Sequence, residues 1–425
     1  MHELYQSAMK KIEFLKKEGY NVVEVWECDI KREMDEDMKH YFEYYPIADP
    51  LEPQDALYGG RTNASKLFHR CEGEEQIKYV DFTSLYPHVN RSKTVPIGHP
   101  EIITENFDED VSNYFGLIKC TVLPPRSLFH PALPYRTQGK LMFALCKTCA
   151  DTCNQTPCEH SDAERAIQGT WCTVEFMKAL EKGYRIVQIH EVWHFPQKTG
   201  TLFKDYIDTF AKIKLEASGY TKNCVTDEQK QAYVDDILEN QGIQLDAAKI
   251  AYNPGLRALA KLMLNSFGGK FAQRSNLVKT EQIDDPQKFF DYLTSDEIIV
   301  LDGHLVSEDI LEIRYEFGEN FVQADSKTNV VIAAFTTAYA RLQLYDELDM
   351  LGERVLYYDT DSVIYLTQPG QPEPQLGNYI GDLTDELGGE HITVFASGGP
   401  KNSCYKISNG KTEVKVRGIT LDCTA

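Results

Sequence analysis

Between Arg354 and Leu366 the chain reads RVLYYDTDSVIYL, an apolar run of β-forming residues interrupted at its centre by Asp359-Thr360-Asp361. Flanked by Val355, Leu356, Val363 and Ile364, these aspartates sit where a strand pair should be buried, and unpaired carboxylates there cost several kcal/mol. Two arrangements satisfy them: a hairpin whose polar tip faces water, or a site that brings cations. A second stretch favours cations. Gln76–Phe82 (QIKYVDF) is a strand carrying Asp81 at its end, and the segment Thr83 to Val89 turns away from it at Pro87. Two strands that each deliver a carboxylate to one point provide what two divalent cations about 3.5–4 Å apart require. Mg²⁺ takes few protein carboxylates and completes its shell with water and phosphate oxygens, so phosphoryl transfer is the chemistry to expect.

The rest of the chain supplies the matching anion site. Phe203, Tyr206, Ile207, Phe210 and Ile213 recur at helical spacing, and Lys214 falls on that apolar stripe. A second helix has Asn253 as N-cap and Pro254 at its first position. Its expected buried face is Leu256, Leu259, Ala260, Met263, Leu264 and Phe267, and Arg257, Lys261 and Asn265, four apart, share another face. Residues 275 to 327 mix acidic turns with strands, and Val331 to Met350 reads as a third long helix. At the other end, residues 3 to 18 form an amphipathic helix stopped at Gly19, followed by a strand over Asn21 to Glu27. A Pro/Gly-rich connector spans Tyr45 to Gly60, and an irregular Pro- and Cys-rich region follows Val89 through about residue 168. With 425 residues, 42% of them apolar, there is material for two or three cores. The net charge of −21 excludes a protein that coats nucleic acid by bulk charge, so any such contact is local. No run of about 18 uncharged apolar residues appears, and Met1 to Lys17 reads as a charged amphipathic stretch rather than a signal peptide.

Three motifs in order, DFTSLYP at Asp81–Pro87, KLMLNSFGGKF at Lys261–Phe271 and YYDTDS at Tyr357–Ser362, resemble the polymerase motifs of B-family DNA polymerases. FKDYID at Phe203–Asp208, TAYAR at Thr337–Arg341 and GPKN at Gly399–Asn402 make the chain most similar to the protein-primed, organellar and viral branch, including the Polinton or Maverick transposons. The resemblance covers about residues 55 to 418. It implies an α+β fold: an antiparallel palm with packed helices, helical fingers, inserted subdomains and a partial thumb. The corresponding layout is 1–45 a remnant of a preceding domain, 46–135 the first part of the palm and 136–200 a Cys-rich insertion. Residues 201–272 would be fingers, 273–327 a second insertion, 328–394 the palm with the catalytic hairpin, and 395–425 the partial thumb. Only about 55 residues precede the glycine pair, too few for the branch's proofreading exonuclease, so the chain is expected to be a fragment.

The resemblance also implies roles. Asp81 and Asp361, with the carbonyl of Phe82, would bind two Mg²⁺, and Asp359 would stand close by in a secondary part. Lys214, Arg257 and Lys261 would hold the triphosphate of a deoxynucleotide, whose sugar would stack on Tyr86. Asn265 and Ser266 would line the nascent base pair. Gly59, Gly60, Ser84, Ser266, Arg341 and Lys401 would face template or primer, and a priming terminal protein is a further expected partner. The chain departs from the family at Gly268, where an aromatic residue is usual, at Leu57 before the glycine pair, and at Ser403, with the expected tyrosine two places late at Tyr405. These departures keep a second reading open, a catalytically decayed transposon-derived remnant that binds DNA. A reverse transcriptase is disfavoured because its paired aspartates are adjacent, whereas here Thr360 splits them. Apart from the motifs, Cys146, Cys149, Cys153, Cys158 and His160 crowd into fifteen residues, which suits either a Zn²⁺ staple on Cys146, Cys149, Cys158 and His160 or reduced structural thiols. Eleven cysteines, an odd number, suit an intracellular reducing compartment, with the nucleus among the candidates.

Overall fold

In the computed structural model, residues 2–26, 49–221, 223–274, 276–318 and 327–418 are described, with 29, 32, 34, 38, 321 and 322 beside them. They divide into two compact units, Met1–Pro50 and Leu51–Ala425. In the first, helix α1 (His2–Lys17) ends on Lys16 and Lys17, cations that complement its C-terminal dipole. The strand expected from Asn21 does not form: residues 21–26 have no regular structure, and Val23 and Val25 stand 78% and 64% exposed. β-propensity expresses packing against a neighbouring strand, and the described residues of this unit offer none.

The second unit is a mixed α+β fold built on antiparallel sheets. The strands of its largest sheet are labelled here in chain order: β1 (Thr62–Ala64), β2 (Phe68–Arg70), β3 (Gln76–Phe82), β4 (Val355–Asp359), β5 (Ser362–Thr367), β6 (Leu383–Asp385), β7 (Ile392–Gly399), β8 (Asn402–Ile407) and β9 (Thr412–Val416). Their order is β1-β4-β5-β3-β7-β8-β9, with β6 also pairing β3 and β2 pairing β7. Side-chain alternation gives the sheet two apolar faces. On one, Val80, Phe82, Tyr358, Val363 and Tyr365 pack under helix α5 (Val330–Leu351), which contributes Ala340, Leu344 and Leu348. On the other, Ile77, Leu356, Tyr357 and Ile364 pack with Ile392, Phe395, Tyr405 and Ile407 of the β7–β8 arm. Being buried on both faces, β4 and β5 read as near-continuous apolar runs, whereas β3 keeps polar residues at Gln76, Lys78 and Asp81. Period two then places Ile77, Tyr79 and Asp81 on the same face of β3, and Tyr357 and Asp359 on the same face of β4.

The region expected to be irregular up to residue 168 is ordered. Glu101–Ile103, Arg185–His194, Gly116–Leu123 and Ile167–Cys172 form a four-stranded antiparallel sheet, and Tyr135–Thr137 pairs Lys140–Met142. Prolines at 124, 125, 131 and 134 cut this stretch into short pieces, and the eight-residue strand Gly116–Leu123 (GLIKCTVL) is buried almost throughout, so neither leaves a clean alternation to read. Three helices border the carboxylate sheet on one side: α2 (Leu85–Ser92), α3 (Lys204–Glu216) and α4 (Pro254–Phe271). The α4 cap is as expected, with Asn253 accepting from the Leu256 N–H and Pro254 at the first position. Its buried face is narrower than expected. Ala260 and Leu264 are buried, whereas Leu256 and Leu259 are 42% and 54% exposed. The helix touches the body mainly along one seam, where Phe267 and Phe271 meet Phe203 and Tyr206 of the α3 segment. Residues 279–317 make a separate three-stranded sheet with the helix Pro286–Thr294.

Candidate active site

Strand register alone brings the carboxylates together. Asp81 pairs with Ser362, the residue after Asp361, and Asp359 pairs with Ser362 across the β4–β5 turn. The Phe82 N–H donates to the Asp361 carbonyl at 2.7 Å, which locks the strand end carrying Asp81 to the hairpin carrying Asp361. Burial pushes the Asp81 carboxyl up to about 7, and Asp361 and then Glu386 push the same way, while Lys415 and Lys261 oppose them. Asp361 is raised as well, mainly by burial, with Asp359 adding to it. Among the described residues neither carboxylate receives a hydrogen bond or ion pair from a side chain. Half-buried, mutually repelling oxygens with open lone pairs fit divalent cations. Asp359 differs: it accepts from the Thr62 hydroxyl at 2.7 Å and from Lys401 Nζ at 2.9 and 3.1 Å.

The hairpin that carries Asp359 and Asp361 is held in a costly shape. Thr360 sits at φ +59, a left-handed conformation that β-branched residues rarely adopt, at about 1–3 kcal/mol. Its N–H donates to the Arg61 carbonyl at 2.8 Å, and its side chain lies on Gly60, where an added Cβ would come within 2.7 Å of Thr360 Oγ1. Gly60 is therefore glycine because the hairpin tip occupies the space of its side chain, whereas Gly59 is open to solvent on that side. Arg61, only 1% exposed, lies over the rings of Phe143, Tyr345 and Tyr358 and donates to the Pro131 carbonyl. Sequence reading missed it, since a lone arginine after a glycine pair gives no pattern.

Arg341 corrects an expectation. It is 2% exposed, forms a two-pronged ion pair with Glu175 at 2.7 Å per arm, and donates to the Tyr58 and Gly59 carbonyls at 2.9 Å. A guanidinium so enclosed cannot reach a template phosphate. It positions the Tyr58–Arg61 segment, and through it the hairpin tip. TAYAR gave the wrong role because its helix turns that arginine inward toward Glu175 on Thr173–Glu181.

The three cations lie near one another. Lys214 of α3 is driven down from the usual lysine range by burial and then by Arg257 and Lys261 of α4, so the three lie within mutual electrostatic reach. Lys214 Nζ donates to the Ser84 hydroxyl at 3.2 Å, and Arg257 Nε to Ser218 at 3.1 Å. Ser84 precedes α2 in a left-handed conformation, φ 56 and ψ 55. Tyr86, two residues on, is partly buried and feels the charges of Asp361 and Asp359. Asn265 and Ser266 stay exposed on α4, the Ser266 hydroxyl bonding its own helix at the Leu262 carbonyl. Gly268 faces Asn90 and Thr336, where a Cβ would stand 3.4 Å from Asn90 Nδ2. The missing aromatic residue is thus matched by a close helix approach.

A cleft of about 540 Å³ opens over the carboxylates, walled by the β7–β9 arm. Lys401, at the turn between β7 and β8, Ser403 and Tyr405 all line it. They are two residues apart along one strand, so the late Tyr405 keeps the same face as its expected position. Lys415, Arg417 and Glu386 were not singled out by sequence. Lys415 reaches the cleft from β9 and donates to the Tyr79 hydroxyl at 3.0 Å, and Glu386 adds a fourth acidic group near Asp81 and Asp361. The cysteine cluster lies elsewhere, its four expected ligands brought together.

The comparisons with known proteins point the same way. Residues 54–229 match the family described as DNA polymerase type B, organellar and viral. That span holds Asp81, Tyr86, the cysteines and Lys214, and stops before Arg257, Lys261 and the aspartate hairpin. Among solved structures, the orthorhombic form of Phi29 DNA polymerase is 18% identical, with a TM-score of 0.54, over 87% of this chain and 55% of that one. Its complex with primer-template DNA gives 18% and 0.54 over 90% and 58%, and the complex with primer-template DNA and incoming nucleotides 18% and 0.53 over 87% and 55%. At this identity the likeness is one of fold, and the chain spans little more than half the length of these polymerases. No curated protein matches the sequence.

Proposed function

We propose that this chain catalyses template-directed DNA synthesis, adding deoxynucleotides to a primer 3′-hydroxyl, and that it derives from the protein-primed branch of Polinton-like elements. The observation that carries the proposal is the convergence of Asp81 and Asp361, half-buried and without side-chain partners, within electrostatic reach of Lys261 and so of the Lys214, Arg257 and Lys261 cluster. Asp81 and Asp361, with the Phe82 carbonyl, are the groups that would hold two Mg²⁺. Bound there, the ions would supply Lewis-acid activation of the attacking hydroxyl and neutralise charge on the leaving pyrophosphate. The protein's own contribution is placement. Lys214 and Lys261 as point charges and Arg257 as a planar fork orient the triphosphate, and an anion there would offset the burial and the neighbouring positive charges that together depress Lys214. Tyr86 presents a ring beside the carboxylates that would limit room for a 2′-hydroxyl. Lys401 bonds Asp359, which supports a secondary part for that aspartate, and Lys401, Lys415 and Tyr405 form a cationic and aromatic wall suited to a primer strand. A terminal protein as primer and a reducing, intracellular setting belong to the same proposal. Among the described residues no helix is long and apolar enough to cross a membrane.

Primer extension by the purified chain with Mg²⁺ and four deoxynucleoside triphosphates tests the reading. Asp361→Asn should lower the rate by about 10³-fold or more, as expected when several kcal/mol of charge stabilisation is lost. Wild-type extension no faster than that variant, with primer-template binding retained, would leave the DNA-binding remnant as the better description.

A further inference from the structure

Residues 152–161 form a loop with no buried side chain, yet it returns onto the helix Lys147–Asp151 and leads through the short helix Asp162–Arg165 into the core strand Ile167–Cys172. Something other than apolar packing must hold it. Three sulfurs surround one ring nitrogen: His160 Nδ1 lies 3.5 Å from Cys146 Sγ, 3.3 Å from Cys149 Sγ and 3.6 Å from Cys158 Sγ, and all four atoms fall within 4.8 Å of one another. A tetrahedral Zn²⁺ with Zn–S of about 2.3 Å and Zn–N of about 2.0–2.1 Å places sulfur and nitrogen ligands roughly 3.5 Å apart, the separation seen here. The surroundings also suit thiolates. The Cys149 N–H donates to Cys146 Sγ at 3.4 Å and Asn154 Nδ2 to Cys149 Sγ at 3.5 Å, the supporting donors that metal-bound sulfur commonly receives. Cys153 points away, its sulfur toward Gln138 Oε1.

We propose that Cys146, Cys149, Cys158 and His160 bind one structural Zn²⁺ that fixes one wall of a groove beside the carboxylate hairpin. Four protein ligands close the coordination shell and leave no open position for catalysis. The knuckle connects to the groove through Asp151, whose carboxylate accepts from the Tyr135 and Thr137 hydroxyls at 2.9 and 2.8 Å and whose carbonyl accepts from Gln138. The groove, about 270 Å³, is lined by Gln138, Ala150 and Cys153 on this side and by Thr62, Asn63 and Pro400 on the other. Thr62 is the residue whose hydroxyl holds Asp359. The staple therefore shapes a channel next to the proposed active site, which is the part that rests on the polymerase reading; the metal itself does not.

Elemental analysis of the full chain, purified under reducing conditions, should find one zinc per chain. Cobalt substituted for zinc should show the visible bands of tetrahedral thiolate coordination. Cys158→Ser combined with His160→Ala should remove the metal, His160→Cys should keep it, and hydrogen exchange at residues 138–165 should quicken tenfold or more in the metal-free variant while that of β4 and β5 changes little. Zinc well below one per chain with reduced thiols, or a disulfide among these cysteines, overturns the proposal. Zinc retained but primer extension absent would fault the polymerase reading alone.

Discussion

Gly60 and Thr360 show how one contact can set the shape of the aspartate hairpin. With a Cβ at position 60 the Thr360 side chain must move, so Gly60→Ala should cost about 1–3 kcal/mol. Thr360→Gly in the same chain should recover at least half of it, because the clash and the left-handed strain disappear together. A double-mutant cycle by chemical denaturation reads the coupling, and strict additivity would refute the contact. His130 offers a second residue-level test. Its Nε2 lies 3.0 Å from the Gly352 carbonyl, and burial holds its pKa down at about 4. The unfolded chain takes up a proton near pH 6.5 and the folded chain does not, so stability from this group is complete above 6.5 and is lost as pH falls toward 4. The loss is up to about 3 kcal/mol at pH 4. His130→Gln should flatten the stability profile over that range, and an unchanged slope would exclude His130 as its source.

Among the elements, α5 matters most, because it both roofs the sheet and carries Arg341 into a buried pair with the Glu175 helix. Removing one partner leaves a charge without compensation, so Arg341→Met or Glu175→Met should each destabilise by about 3–5 kcal/mol, and the double substitution by less than either. Denaturant midpoints decide this, and singles within experimental error of wild type would mean the pair is solvated in solution. The helix was legible from its apolar run, as were α3, α4 and the β4–β5 hairpin, because long periodic segments write their burial into composition. Arg341's partner was not, since Glu175 lies 166 residues away and nothing local in either segment announces the other. The short strands Tyr135–Thr137 and Lys140–Met142, just after Pro134, escaped for the complementary reason, too few residues each to establish a period.

For the whole molecule, the net charge of −21 sets how nucleic acid can be approached. The cationic groups that bear on the carboxylate cleft are few, Lys261, Lys401, Lys415 and Arg417, against Asp81, Asp359, Asp361 and Glu386. Without divalent cations this balance should repel DNA. Primer-template affinity is expected to rise when Ca²⁺ is added as a non-reactive cation, and its log–log dependence on salt to be shallow, about −4 or less in magnitude for so few phosphate contacts. Fluorescence anisotropy measures both, and a cation-independent affinity would place the DNA away from the carboxylates.

Sequence by itself determined the long elements and the chemical types: Asp81 near a strand end, Asp359 and Asp361 within a β-rich run, Arg257 and Lys261 one helical turn apart, and soft ligands crowded into Cys146 to His160, each readable because its signal is local. Tertiary structure alone decided the rest. Strand register put Asp81 opposite Ser362, packing turned Arg341 inward, and the β7–β9 arm brought Lys415 and Tyr405 over the cleft. Those outcomes depend on which distant segments pair and bury each other, a choice set by the free energy of the whole sheet and core, which no single stretch of residues carries.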